Sequence, residues 1–387
     1  MMKNYRRYST FLLAFFCAKS LALGLFNVVV DPYEVLGMPK VENFNQFKPV
    51  LATHVRLFKA MAITRSQYDF IFLGSSRTEL GLDPTHPVLA NSGSGYNLAL
   101  SGPNMYEVLR YFQHALNNQP QITQVVLGID FFMFNQVRKN RPDFSDARLE
   151  RQSLTLEETL GVGFSLDALD SSYQTISSNL KSPNKPDSYH SNGRRNLQYQ
   201  INHFLPQSRL KSFRFSLQEY LKDRELYGEY YLSMEYLKDL NKLVEICQEK
   251  NIDLKIFISP SHATQWEAIR EAGLWPLFEQ WKGEVVQITP VWDFSGYNSI
   301  TTEPISNPMK YYVDSSHYRP QVGHLVLNRM FQFQEENVPS DFGIFLTRDT
   351  LEDSLERIRT NRELWVSKTN DYRTLNLDEV WGIYSQK

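Results

Sequence analysis

Cysteine is almost missing from this chain: Cys17 and Cys247 are the two thiols in 387 residues. Cys17 lies in an apolar run and Cys247 in a helical pattern, where it reads as a small core residue, so no disulfide framework is expected. A chain of this length does not need one, because its core can be large. Charge of one sign is missing as well. The 41 Lys and Arg nearly balance the 43 Asp and Glu, leaving −2, and no global electrostatic case for a nucleic-acid partner remains. Glycine is scarce, at 18 residues, while hydrophobic and charged residues make up 42% and 22%. That composition excludes a collagenous, low-complexity or largely disordered chain. There is no P-loop, no G-x-G-x-x-G, no H-E-x-x-H and no paired Cys/His spacing among the eight scattered histidines. Neither a metal nor a cofactor is indicated. Internal repeats are absent too.

Long hydrophobic runs are lacking with one exception. A mean hydropathy of −0.41 excludes a polytopic membrane protein but barely registers one segment. That segment is Phe11–Val30, FLLAFFCAKSLALGLFNVVV, preceded by Lys3, Arg6 and Arg7. Its length is about 30 Å as a helix, a hydrocarbon core's thickness. Lys19, in mid-run, costs about 2.5–3.5 kcal/mol on insertion scales, which snorkelling lowers. The expectation is a short cytoplasmic stretch 1–8, an uncleaved anchor over 9–30, and export of the rest, from the basic N-terminal flank. This describes a single-pass inner-membrane protein with its body in the periplasm or otherwise outside the cytoplasm. A cleaved signal peptide is the competing reading, but no A-x-A site follows and Asp31-Pro32-Tyr33 ends the run abruptly. A buried helix of a soluble protein is the third.

Residues 31–66 read as a lead-in. From there the pattern alternates. YDFIFLGSSR, a strand at 96–100, a helix after Pro103, and QVVLGIDFF over 124–132 predict strand, strand, helix, strand. That rhythm points to a parallel α/β sheet. The stretch 136–215 lacks clean periodicity and reads as an insertion or cap. It includes Lys-Ser-Pro-Asn-Lys-Pro at 181–186 and the basic clusters Arg138, Lys139, Arg141 and Arg194, Arg195. Beyond it, helix 230–249, strand 254–260, helix 263–281, strand EVVQI (284–288) and helix 321–334 resume the alternation. A charged, partly helical tail covers 341–387.

Three short motifs carry chemistry at predicted strand ends, where α/β sheets place their sites. Gly74-Ser75-Ser76-Arg77 puts a serine at a sharp turn. Asp314-Ser315-Ser316-His317 puts an imidazole three residues from a carboxylate, which suits a base and its orienting group. Ser101-Gly102 offers backbone N–H groups to a developing oxyanion. Each alone is more often structural: a turn, a helix N-cap with an incidental histidine, a strand-to-helix corner. His262 in SPSH, Asp293 and Tyr297 in DFSGYN, and Arg77 are further cleft or rim candidates. Arg77 reads first as a salt bridge fixing its loop.

Taken in order, LGSSR, Asn97-Leu-Ala-Leu-Ser101-Gly102 and Asp314-x-x-His317 resemble the SGNH (GDSL-like) hydrolase and acyltransferase superfamily over about half the chain. The resemblance implies a three-layer α/β/α, flavodoxin-like fold. It implies Ser76 as nucleophile, His317 as base and Asp314 behind it, with the Ser76 and Gly102 amides as oxyanion hole. Ser75 stands where that family often has Asp. At the third block Gly128-Ile129-Asp130 replaces the expected Asn, and Asp130 is a candidate for orienting a group or holding substrate. The anchor ending in DPY, with GSSR, DFSGYN and YYVDSSHYRP, is similar to bacterial membrane-anchored proteins that acylate surface polysaccharides, such as those of alginate O-acetylation. The implied function is an O-acyl(acetyl)transferase or esterase acting on a cell-surface polysaccharide or a small ester. It needs an acyl donor and leaves room for a membrane-bound partner that delivers it. The alternative is a catalytically degenerate relative that binds glycan or scaffolds a surface-assembly complex.

Overall fold

The apolar runs FIFL and QVVLGI lie at the centre of a six-stranded sheet in a computed structural model of the chain, which describes residues 2–181, 185–205, 208–369 and Leu375. The strands are β1 (Phe70–Leu73), β2 (Gly95–Asn97), β3 (Gln124–Ile129), β4 (Asp253–Ile258), β5 (Val291–Asp293) and β6 (Ile344–Leu346). They lie in the order β2-β1-β3-β4-β5-β6. The first five run parallel and β6 pairs antiparallel with β5. β1 is buried along its whole length, as a central parallel strand covered on both faces must be.

The chain steps from β1 to β2 and then reverses to β3, β4 and β5. Right-handed crossovers send the connections of these two directions to opposite faces. The packing follows: helix Ser76–Gly81 meets helix Pro320–Met330, while helix Met105–Asn118 meets Met234–Glu249, which meets Trp275–Ile288. Ligand sites of such sheets lie where the direction reverses, beyond the carboxyl ends of the strands. Here that is the edge carrying Gly74 and Asp130.

Two predicted elements are corrected. EVVQI is not a strand but the last part of helix Trp275–Ile288, whose buried Phe278, Trp281, Lys282 and Val285 recur at helical spacing. The strand follows it, after Pro290. The single helix expected over 263–281 is two, Ala263–Glu271 and Trp275–Ile288, separated at Gly273 with φ +69°.

The chain divides into two compact units, Met1–Ser66 with Asp143–Ser188, and Gln67–Pro142 with Tyr189–Lys387. The sheet belongs to the second. In the first, residues 31–66 are folded and not a bare lead-in: Val35, Phe47 and Leu51 are buried. The Asp31 carboxylate accepts from the Val35 and Leu36 amides at 2.9 and 3.1 Å, closing the turn after helix Met2–Val30. The Asn179 side chain bonds both backbone groups of Phe47. The expected insertion contains helices Asp146–Leu149, Leu156–Phe164, Leu166–Lys181, Leu197–Phe204 and Arg209–Lys222. Of the segment 181–186, residues 182–184 lie outside the described residues. Of the expected tail, Ile344–Leu346 is β6 and Leu351–Lys368 is helical, while 370–374 and 376–387 lie outside the described residues.

Candidate active site

β1 delivers the serine loop. Gly74 follows it at φ +139°, and a Cβ there would sit 2.6 Å from the Gly128 carbonyl oxygen. Only glycine fits this corner. Ser75 caps the six-residue helix that follows, accepting from the Arg77 amide at 3.2 Å. Ser76 comes next, at the first position of that helix. Alongside β1, the Leu98 and Leu100 amides bond the Phe72 and Gly74 carbonyls at 2.8 and 2.9 Å. This pairing carries Ser101 and Gly102 to the same edge. Asn97 clamps the corner from inside, its amide donating to the Thr78 and Leu82 carbonyls at 3.0 and 2.9 Å.

The histidine arrives from the far end of the sequence. A bridge between Tyr312 and Tyr318 closes the loop that carries it. Within the loop, Asp314 Oδ1 accepts from the Ser316 and His317 amides, each at 2.7 Å. Asp314 Oδ2 lies 2.9 Å from His317 Nδ1. His317 Nε2 lies 2.9 Å from Ser76 Oγ, across 241 positions. A carboxylate only accepts, so Nδ1 carries the proton and Nε2 is left to accept from the Ser76 hydroxyl. Burial alone would raise the Asp314 pKa, but the His317 imidazole and the two amides outweigh it and hold it below the ordinary value. The carboxylate is therefore ionised where it is needed.

Exposure is graded across this line. Asp314 is buried, Ser76 is 9% exposed and the His317 side chain 19%. The serine–histidine end is open to solvent, and the charge behind it stays dry. The Ser76 and Gly102 amides have no acceptor among the described residues. Gly102 has φ +55°, and its carbonyl accepts from Arg138 Nη2 at 2.5 Å. Next to the dyad, helix Arg209–Lys222 lines a cavity of about 410 Å³ with Phe215, Gln218, Glu219, Lys222 and Asp223. Burial, then the negative charge of Asp314, pushes the Glu219 carboxyl up from its ordinary pKa, so Glu219 feels the dyad electrostatically. Among the described residues, no group of three or more His, Cys, Asp or Glu is gathered to hold a metal ion.

Arg77 and Asp130 are brought together with the site but do not face a substrate. Asp130, buried, accepts from Ser75 Oγ at 2.5 Å and from Arg77 Nη1 at 2.6 Å. Arg77 Nε also donates to Ser316 Oγ at 3.0 Å and Nη2 to the Tyr220 hydroxyl at 3.3 Å. The Tyr220 hydroxyl and Ser316 Oγ are 2.8 Å apart. Burial opposes the Arg77 charge, yet Asp130 raises its pKa overall, so it remains a cation. Asp130 thus holds the serine loop and its own counter-ion, not a ligand. Ser316 and Tyr220 had no signal as site residues in the sequence.

Three further candidates are corrected. His262 is fully buried, capping helix Ala263–Glu271 and bonding the Glu303 carbonyl at 2.7 Å; burial depresses its pKa to about 4. Asp293 is buried against Lys282 Nζ at 2.7 Å and Ser295 Oγ at 2.6 Å. Tyr297 is buried and donates to Glu267, which also pairs with Arg362 at 2.8 Å. All three are spent inside the fold and form no rim. The basic clusters are largely spent too. Arg138 is buried under Gly102 and Pro103, Arg194 pairs with Asp83 at 3.1 Å, and Arg195 stands 3.6 Å from Glu79.

No family model matches this chain, and no curated protein matches it. The functional reading therefore rests on the geometry of Ser76, His317 and Asp314.

Proposed function

We propose that this chain is a membrane-anchored serine enzyme of acyl-ester chemistry, of the SGNH type, exported to act on a cell-surface polysaccharide as an O-acyltransferase or esterase. One observation carries the reading: Ser76 Oγ stands 2.9 Å from His317 Nε2, with Asp314 2.9 Å from the other ring nitrogen. Hydrogen-bonding reach from nucleophile to base, and from base to orienting carboxylate, is what serine acyl transfer requires. The two departures from the SGNH pattern also support each other. The carboxylate missing at Ser75 stands at Asp130 instead, and the Ser75 hydroxyl donates to it.

The reaction follows from these positions. Ser76 Oγ attacks the acyl carbonyl while its proton passes to His317 Nε2. Asp314 stabilises the imidazolium, and the Ser76 and Gly102 amides receive the oxyanion. His317 returns the proton to the departing alcohol, leaving an acyl-serine. An acceptor hydroxyl, or water, then gives its proton to the same imidazole and attacks the acyl-serine, and His317 returns that proton to Ser76 Oγ as the acyl group leaves it.

Acetyl release from a chromogenic acetyl ester, with and without an oligosaccharide acceptor, tests this. Turnover is expected in the wild type and absent in Ser76→Ala. Acetylated oligosaccharide among the products selects the transferase, and free acetate alone selects the esterase. The Asn missing from the third block, an amide donor to the oxyanion in the SGNH pattern, is the observation favouring a glycan-binding or scaffold role. Full biological activity of a Ser76→Ala, His317→Ala double variant would select that role.

A further inference from the structure

The apolar helix Met2–Val30 is not bare along its whole length. Phe11, Leu12, Leu13, Phe15 and Phe16 are exposed, whereas Gly24, Asn27 and Val30 are buried. What covers them is the pair of helices Leu156–Phe164 and Leu166–Lys181. The Phe164 ring lies over Gly24 so closely that a Cβ there would meet it at 2.3 Å. Asn27, a polar residue inside the apolar run, donates to the Gly163 carbonyl at 3.0 Å and accepts from Ser172 Oγ at 2.8 Å. An amide in lipid needs such partners, and here protein supplies both. One face of the last two turns is thus fastened to these two helices, leaving Leu25, Phe26 and Val29 outward, and the part before Gly24 is bare.

The covering helices carry an apolar face of their own. Leu156, Leu160 and Phe164 recur every four residues along one stripe and are 75%, 52% and 45% exposed. On the next helix Leu166 and Tyr173, two turns apart, are 77% and 66% exposed. Five large apolar side chains so exposed on two neighbouring helices are unusual on a soluble surface. The stripe's Phe164 end lies on Gly24 of the anchor, and Leu21, Leu25 and Phe26 on either side of Gly24 are exposed as well. The polar residues flanking it, Glu157, Asp167 and Asp170, are acidic. Attraction to anionic headgroups is therefore not what would hold it.

We propose that helices Leu156–Phe164 and Leu166–Lys181 form an interfacial collar on the anchor, their apolar stripe dipped into the headgroup and upper acyl region of the leaflet from which the anchor emerges. The occupant is lipid because Phe164, at one end of the stripe, packs on the anchor at Gly24, where that helix passes from bare to protein-covered. An amphipathic helix of this kind lies in the plane of the interface and binds by its buried apolar area. The proposal rests on the reading of Met2–Val30 as a membrane span.

The full chain, reconstituted in phosphatidylcholine nanodiscs, tests it with single-cysteine probes. Cys17→Ser clears the anchor, and burial holds the Cys247 thiol up at about 12, so it reacts slowly. An environment-sensitive fluorophore is placed at Leu160→Cys, Leu166→Cys, Phe15→Cys or Lys238→Cys. Nitroxide lipids labelled near the headgroup or near the chain end then serve as quenchers. The headgroup-proximal nitroxide is expected to quench probes 160 and 166 about twofold more than the deep one, with the opposite order at 15 and no quenching at 238. Quenching at 15 with none at 160 and 166 overturns the collar and leaves the anchor standing. A blue-shifted but unquenched probe at 160 assigns the patch to a protein partner and also overturns it. No quenching at 15 overturns the membrane span itself, and the collar with it.

Discussion

Arg77 donates to Asp130, Ser316 and Tyr220, and so ties the loop of Ser76 to the loop of His317. Asp130 holds the serine loop through Ser75, and Ser316 sits between Asp314 and His317 in the other loop. Replacing Arg77 by Met would leave Asp130 buried and uncompensated, at a cost of about 3–5 kcal/mol. The expected result is a lower urea midpoint for Arg77→Met that is mostly recovered when Asp130→Asn is added. Failure of Asp130→Asn to recover it would show that the loss is not buried charge. Asp314→Asn addresses the other end of the line. With the geometry kept but the imidazole held in the wrong tautomer, kcat on the acetyl ester should fall by roughly 10⁴, with the thermal midpoint little changed. Ser76, Gly102, Asp314 and His317 were singled out in the sequence because each sits in a short motif, the first two after strands and the last two in the turn before helix Pro320–Met330. A salt bridge fixing the Arg77 loop was legible as well, but its partners were not, because the bonds join Arg77 to Asp130, Tyr220 and Ser316 across 53, 143 and 239 positions.

The central strands announce themselves because parallel strands buried on both faces are continuous apolar runs. β6 does not, being three residues at the sheet's edge. EVVQI misleads because its paired valines satisfy a strand pattern and a helical one equally, and the preceding Phe278 and Trp281 decide for the helix. His262 belongs to this scale, as the N-cap of helix Ala263–Glu271. Burial depresses its pKa and the bond to the Glu303 carbonyl only partly offsets that, leaving it at about 4 against 6.5. The unfolded chain therefore binds the proton more tightly than the folded one. The contribution to stability is complete above pH 6.5, declines as pH falls, and is gone below about 4. The span corresponds to about 3 kcal/mol at 1.36 per unit. Denaturation midpoints measured between pH 7 and 4 should fall less steeply in His262→Gln than in the wild type. Parallel curves would contradict the assignment.

At the scale of the whole molecule, one apolar segment hidden in a polar average sets the expected compartment. Among the described residues one helix, Tyr5–Val30 in its apolar part, is long and apolar enough to cross a membrane. Alkaline carbonate washing is expected to leave the full chain in the membrane pellet, and recovery in the supernatant would count against the anchor. The stretch 136–215 was the least legible part of the chain. Its helices divide between the two units, and the side chains that decide this, such as Asn179 on Phe47 and Ser172 on Asn27, pair residues more than a hundred positions apart.

The central claim is that Ser76 is a nucleophile activated by His317. The most direct measurement is labelling of the full chain with a serine-reactive phosphonate, the adduct located by mass spectrometry of the digested protein. The expected result is a single adduct on Ser76, absent in Ser76→Ala and formed far more slowly in His317→Ala and Asp314→Asn. Unchanged labelling in Ser76→Ala, or an adduct on another residue, would contradict it.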